Sequence, residues 1–468
     1  MKRLLTSLLF VFLLVSCKKD LPEKYDTTNH VYTLDVVLNE DTNTLHVNGE
    51  LSYYNEIPNL TELYLHVYPN AINPTNQPNN VVFEQLRVNN QAVTVSFSGE
   101  DNTLLHVDLE DPVARQERIS ITFDYSFSYW NVDRINAIDD SYYMTMFFYP
   151  FVPVYDENGW NIEPYSFRGE SYYNTVGDYY VTLDVPLDYE VAASGEVIHT
   201  AETANRRTID YQILDARDFS FSASSAYNVY SRIWNNRQYD IYALNDLTPS
   251  EQNLYFEYLA TSFAVFERDF GPYPYDHFTL ELGYIYGMES TGVVYCSMDV
   301  QEGTVVHEVA HQWFYSIIGN DQADEPFLDE ALVSYITSYY FLEIHGTDGY
   351  NGYLDFRNSL KPEAEEYFNT YQGTDILLHL LDYDEGYAYQ VYYHGPTIYR
   401  YYVEYFLDGD TTRFKQALAD YYNIYKYEEA TIDQLFHLLE DTLNEPGTVD
   451  WLYEQAHDLQ DLEQENPN

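Results

Sequence analysis

Val306-His307-Glu308-Val309-Ala310-His311-Gln312-Trp313-Phe314 carries the pattern H-E-x-x-H inside a stretch of helical spacing that runs from Thr304 to Ile318. Helical residues four apart share a face, so His307 and His311 can bring two imidazole nitrogens to one Zn²⁺ at about 2.0–2.1 Å. Glu308 falls beside that face, where it can take a proton from a water but cannot comfortably ligate the same ion. The chain has 13 histidines, which gives a chance match to this pattern a probability of roughly a few per cent, so a third ligand has to decide the matter. Phe327-Leu328-Asp329-Glu330-Ala331-Leu332-Val333-Ser334-Tyr335 opens a second helical stretch, to Ile344, and offers Glu330 with eighteen residues between it and His311. Two histidines and one carboxylate leave the fourth tetrahedral position open, as a catalytic zinc requires, with one ion per chain. A metzincin would need Gly and then His shortly after the second histidine, where this chain has Phe314 and Ile317.

Outward from this stretch the pattern divides the chain. After Asn245 helical spacing predominates, at Pro249 to Phe270, Pro396 to Leu407 and Thr411 to Tyr425, with Gly319 and Gly346 as helix stops and Pro396 in a first turn. Phe278 to Tyr286 and Val293 to Ser297 read as strands between the helices. From Asp26 to Tyr230 the text is short alternating segments such as Val31 to Val36, Val47 to Tyr54, Tyr179 to Val185 and Tyr189 to Val197, the last interrupted by Gly195. A chain of 468 residues exceeds what one core usually serves. The expected fold class is therefore α+β and multidomain: residues 26–230 a β-rich domain and residues 231–468 a mainly helical domain with a small mixed sheet.

The chain has 22 Lys plus Arg against 76 Asp plus Glu, a formal net charge of -54. Phosphate binding needs clustered cations, so nucleic acid is excluded as a partner. The 52 tyrosines read as structural filler, since tyrosine suits both interiors and surfaces. Asp321, Asp324, Glu325 and Asp329 read as solvated loop or capping residues. Met1 to Cys17 has the parts of an export signal: Lys2 and Arg3, an apolar run from Leu4 to Val15, then small Ser16. The run is too short for a permanent span of about 20 residues. Leu14-Val15-Ser16-Cys17 resembles the lipobox of bacterial lipoproteins, which implies lipidation of Cys17, residues 18–25 as a tether, and a location on the outer face of a bacterial membrane. An ordinary cleaved signal or an uncleaved anchor is the alternative. With Cys17 lipidated, Cys296 has no disulfide partner and is expected to be a buried small residue.

Three segments together resemble the aminopeptidase N family of gluzincins. Beside the zinc pattern, Tyr286-Gly287-Met288-Glu289-Ser290 is similar to the family's G-x-M-E-N edge strand, with serine in place of asparagine. The resemblance implies substrate contacts at Gly287, Met288 and Glu289, with Glu289 holding the free α-amine. Tyr392-Tyr393-His394-Gly395 is similar to the Y-x-K-G segment, which implies that Tyr392 stabilises the oxyanion, while His394 replaces lysine. The family fold would be a saddle- or sandwich-like N-terminal β domain followed by a thermolysin-like catalytic domain. Only 76 residues follow Tyr392, which implies a form lacking the family's C-terminal helical domain. Expected substrates are peptides with a free N-terminus. An endopeptidase with an open cleft, or a non-catalytic binding lipoprotein on the same scaffold, are the competing readings.

Overall fold

The computed structural model describes residues 27–72, 79–99, 101–132, 135–359, 376–383 and 386–457; the export signal, the tether and Cys17 lie outside them. No helix among the described residues is long and apolar enough to cross a membrane.

The first half is β-rich, as its alternation implies. Arg118–Ser128 buries every second residue, Ile119, Ile121, Phe123, Tyr125 and Phe127, so one face joins a core and the other meets solvent. It pairs with Thr44–Tyr54, which pairs with His30–Asn39, and that strand runs parallel to Gly177–Pro186 within an eight-stranded sheet. Three- and four-stranded sheets and a short hairpin complete this half. Gly49 lies where any side chain would press on Leu34 and Phe123, which explains a glycine in mid-strand. Gly195, at φ 81°, separates Glu190–Ala193 from Glu196–Glu202, the interruption the sequence suggests.

The second half is helices packed on a five-stranded sheet, ordered Asn228–Trp234, Arg237–Ala243, His277–Gly283, Val293–Ser297, Gly287–Ser290. The inner strands are parallel and both edges antiparallel. Asn228–Trp234 already belongs to this sheet, so the change of sheet falls between Ser224 and Asn228, slightly ahead of residue 230. Pro249–Asp269 starts with a capping box, Thr248 with Glu251, and Pro249 in its first turn.

Two helical stretches differ from the reading above. Regular helix covers Glu302–Ala310 and ends at His311, not Ile318. Beyond it the N–H groups of Ser316, Ile317 and Ile318 reach carbonyls five residues back, a wider turn that lets Trp313 sink among Phe263, Phe266 and Tyr273. Gly346, at φ 65°, breaks the helix without ending it; helix resumes and runs to Ser359. Ile432–Leu443 and Thr448–His457 are two further helices.

Tyrosines fill both cores, for example Tyr32 stacked on Tyr179 with centroids 4.6 Å apart, and Cys296 is a buried free thiol. The halves are joined by buried Arg217, which pairs with Glu429 and donates to the Glu428 carbonyl at 3.1 Å. Glu281 is also buried at this junction and accepts from the Tyr227 hydroxyl at 2.7 Å. Burial pushes its carboxyl from 4.5 up to about 8, against the hydrogen bond of Tyr227. The folded chain therefore holds an extra proton between those values, so the stability this group contributes is full below the lower one and is lost as pH rises to the upper. Glu281→Gln removes that titration. Its melting temperature should gain on wild type between about pH 5 and about pH 8; a constant difference would mean that Glu281 is ionised in the fold throughout.

Candidate active site

The helix Glu302–Ala310 carries the first two ligand candidates because Val305, Val306, Val309 and Ala310 bury its other faces, leaving His307, Glu308 and His311 toward a cleft. Glu330 sits on a one-turn π segment, Phe327–Ala331, and Tyr392 on another, Tyr389–His394. Such widened turns swing a side chain off the regular helical face and recur at functional sites. The two segments touch at Gly395, where any side chain would collide with Ala331, so glycine at the end of the tyrosine-rich stretch is a packing requirement.

His307 Nε2 lies 3.0 Å from Glu330 Oε2, His311 Nε2 3.2 Å from His307 Nε2, and His311 Nε2 3.4 Å from Glu330 Oε2. Ligands at about 2.0–2.1 Å in a tetrahedron stand about 3.3 Å apart, so this triangle has the size of one face of a zinc shell. The charge balance agrees with a cation here. Glu289, Glu308, Asp329 and Glu330 are all buried around the triangle, and buried carboxylates need positive charge nearby. Burial pushes the carboxyls of Glu308 and Glu289 well up. Burial also lowers His307 to about 4, which keeps it the neutral imidazole of a metal ligand, whereas at His311 the carboxylates of Glu289, Asp329 and Glu330 outweigh burial and push the pKa well up, a demand for positive charge that a bound cation would meet. The donor set therefore fits one divalent ion.

Asp329, expected in a solvated or capping role, is buried instead, with Oδ1 3.4 Å from His311 Nδ1. A carboxylate behind a ligating imidazole fixes the orientation of the ring. Gln322 Nε2 donates to both Asp329 Oδ2 and Glu289 Oε1 at 2.8 Å, coupling this support to the edge strand. Asp321 and Glu325 do act as caps, toward Ala323, Asp324 and Ile432, but from largely buried positions.

The strand Gly287–Ser290 is the edge of the five-stranded sheet and closes one wall of the cleft. Any side chain at Gly287 would collide with the Glu308 carboxylate, so the backbone comes this close only with glycine. Glu289 turns into the cleft, whereas Met288, by strand alternation, points the other way into the core of the first half and can offer substrate only its backbone. Ser290, the departure from asparagine, also faces away, donating to Asp218 Oδ2 at 2.8 Å. The Tyr392 hydroxyl donates to Glu330 Oε1 at 2.6 Å, and burial raises its pKa so that it stays a neutral O–H donor. The cleft encloses about 260 Å³ and is also lined by Glu170 from the first half, Thr304, Arg357 and Tyr393. Glu170 and Arg357 carry no local motif; only the fold brings them here.

Residues 287–456 match the Peptidase family M1 domain. This chain carries a peptidase family M1 domain. The M1 domain begins at the edge-strand glycine and takes in all three ligand candidates, Glu308 and Tyr392. Among curated proteins, the chain is 26% identical over 168 residues to putative aminopeptidase-2 of Caenorhabditis elegans, covering 33% of this chain and 8% of that one. It is 22% identical over 293 residues to aminopeptidase M1-D of Oryza sativa subsp. japonica, covering 57% and 32%. The chain thus spans under a third of either relative. Among solved structures, the M1 zinc metallopeptidase of Deinococcus radiodurans superposes with a TM-score of 0.67 at 15% identity, over 92% of this chain and 94% of that one. A mutant of that enzyme bound to a Tyr-Ser-Ala substrate gives 0.67 at 14% identity over the same shares. At such identities the likeness is one of fold, and it extends through both halves. The fold is that of the M1 zinc metallopeptidase structures, and residues 287–456 match the family's domain, in keeping with the aminopeptidase N resemblance of the motifs.

Proposed function

We propose that this chain is a zinc-dependent aminopeptidase that releases the first residue of peptides with a free N-terminus. The observation that supports the choice of exopeptidase is Glu289: a carboxylate 2% exposed, bonded at Oε1 by the neutral amide of Gln322, lining the same cleft as the His307–His311–Glu330 triangle. A substrate ammonium supplies the positive charge that this carboxylate lacks and fixes the register at the first peptide bond. Glu170 adds negative charge to the cleft.

His307, His311 and Glu330 hold the ion, which when bound polarises the scissile carbonyl and makes a water acidic near neutral pH. Glu308 takes the proton of the attacking water and later delivers it to the leaving nitrogen. Tyr392 donates its O–H to the oxygen that gains charge as the carbonyl carbon becomes tetrahedral. Burial around the site strengthens each of these interactions.

Peptides with and without N-terminal acetylation test the reading. The free-amine peptide should be shortened one residue at a time, and its acetylated twin should lose at least about 100-fold in kcat/KM, since a lost buried charge pair is worth several kcal/mol. Equal cleavage of both would favour the endopeptidase reading. Uncleaved peptide with a fully zinc-loaded chain would favour a binding protein.

A further inference from the structure

The cleft has a direction. The edge strand Gly287–Ser290 runs alongside the helix Glu302–Ala310, with Gly287 against Thr304 and Glu308. Its far end is tied to Gln312, which donates to the Ser290 carbonyl at 2.9 Å and accepts from the Gly292 N–H at 2.9 Å. Glu289 belongs to that far end, linked through Gln322 and Asp329 to His311. Arg357 belongs to the other end. Its Nε and Nη2 donate to the Tyr353 hydroxyl at 3.2 and 2.9 Å, and the Tyr353 ring packs against Gly303 in the first turn of the same helix. Gly303 to His311 is about 12 Å of helix. A peptide anchored by its ammonium at Glu289 and passing His307 and Glu308 therefore heads toward Arg357. At about 3.3–3.6 Å per extended residue, the groups reaching it belong to the second or third residue.

The Arg357 guanidinium is held by neutral groups and feels Glu330 only at longer range, with no carboxylate bonded to it among the described residues. Beyond the two bonds to Tyr353, Nη1 donates to the Tyr392 carbonyl at 3.4 Å, and the group lies over the rings of Tyr353 and Tyr393 at 5.2 and 5.5 Å. Of the five N–H donors, this leaves one on each Nη without an acceptor among the described residues. Arg206, Arg207, Arg237, Arg268, Arg400 and Arg413 each hold a carboxylate, in a chain with 76 acidic residues. Arg357 holds none among the described residues, yet it is the one Lys or Arg among those lining a cleft that contains Glu170, Glu289, Glu308 and Glu330. A half-buried guanidinium with a free fork suits a carboxylate.

We propose that Arg357 binds a carboxylate on the leaving half of the substrate, either the C-terminus of a di- or tripeptide or an acidic side chain just past the cleaved bond. This rests on the aminopeptidase reading and adds the substrate class, short or acidic peptides. Aminoacyl-p-nitroanilides of each side-chain class first identify the preferred leading residue, Xaa; kcat/KM is then measured on Xaa-Gly, Xaa-Gly-NH₂ and Xaa-Asp-NH₂. Xaa-Gly should exceed its amide by about 10–100-fold, mostly through KM, as one charge-assisted pair implies. Xaa-Asp-NH₂ recovering the rate assigns the site to side-chain carboxylates as well, and its remaining at the level of Xaa-Gly-NH₂ assigns it to the terminal one. Arg357→Met should collapse the acid-to-amide ratio toward one, Arg357→Lys should keep part of it, and Tyr353→Phe, which only releases the guanidinium, should fall between wild type and Arg357→Met. Equal kcat/KM on acid and amides in the wild-type chain, a measurement that needs no variant to fold, overturns the proposal while leaving the aminopeptidase reading intact. Cleavage of none of these compounds, anilides included, overturns both.

Discussion

Glu308→Gln should retain the fold and one zinc per chain while losing on the order of 10²–10⁴ in turnover, or about 3–5 kcal/mol of transition-state stabilisation. Glutamine has nearly the same shape, and Glu308 is not part of the His307–His311–Glu330 triangle, so metal content has no reason to change. What is lost is the proton acceptor for the attacking water. The carboxylate is 5% exposed and lies against the backbone of Gly287, at the strand edge where substrate is expected to bind, so bulk solvent is poorly placed to replace it. Zinc content and kcat are the two readouts. An undiminished rate would remove Glu308 as general base, and loss of zinc would mean that it helps to hold the ion.

Tyr392→Phe should cost about 10²–10³ in kcat, the usual loss when one oxyanion donor is removed. The Tyr392 hydroxyl stands 2.6 Å from Glu330 Oε1, at the rim of the ligand triangle, and burial keeps it protonated. Tyr393 is the control, because its ring instead packs against the Arg357 guanidinium at 5.5 Å. If Tyr393→Phe shows the large loss and Tyr392→Phe does not, the register taken from Gly395 is off by one.

These two residues also show what can be read from sequence and what cannot. His307, His311 and Glu308 are legible because their geometry is local: four residues of helix place them, and the apolar residues between them face the core. Strand alternation likewise gave the β-rich first half, since each buried residue in Arg118–Ser128 has an exposed or half-exposed neighbour. Trp313 to Ile318 are as apolar as a helix interior, and periodicity does not separate an α-turn from a wider one, so spacing alone carries the first zinc helix too far. Ile432–Leu443 carries a plain local signal, the capping box of Thr431 and Gln434 before a spaced apolar run. Asp329 is the opposite case. It adjoins Glu330, and only the π turn at Phe327–Ala331 decides which carboxylate meets the two Nε2 atoms and which backs His311. Glu170 and Arg357 arrive from distant parts of the chain, so no spacing rule could have found them.

Zinc-edge anomalous diffraction from crystals of the zinc-loaded chain tests the central claim most directly. A single strong peak should appear within about 2.0–2.2 Å of His307 Nε2, His311 Nε2 and a Glu330 carboxylate oxygen, and should vanish in Glu330→Gln. A peak elsewhere, or none after zinc loading, would contradict it.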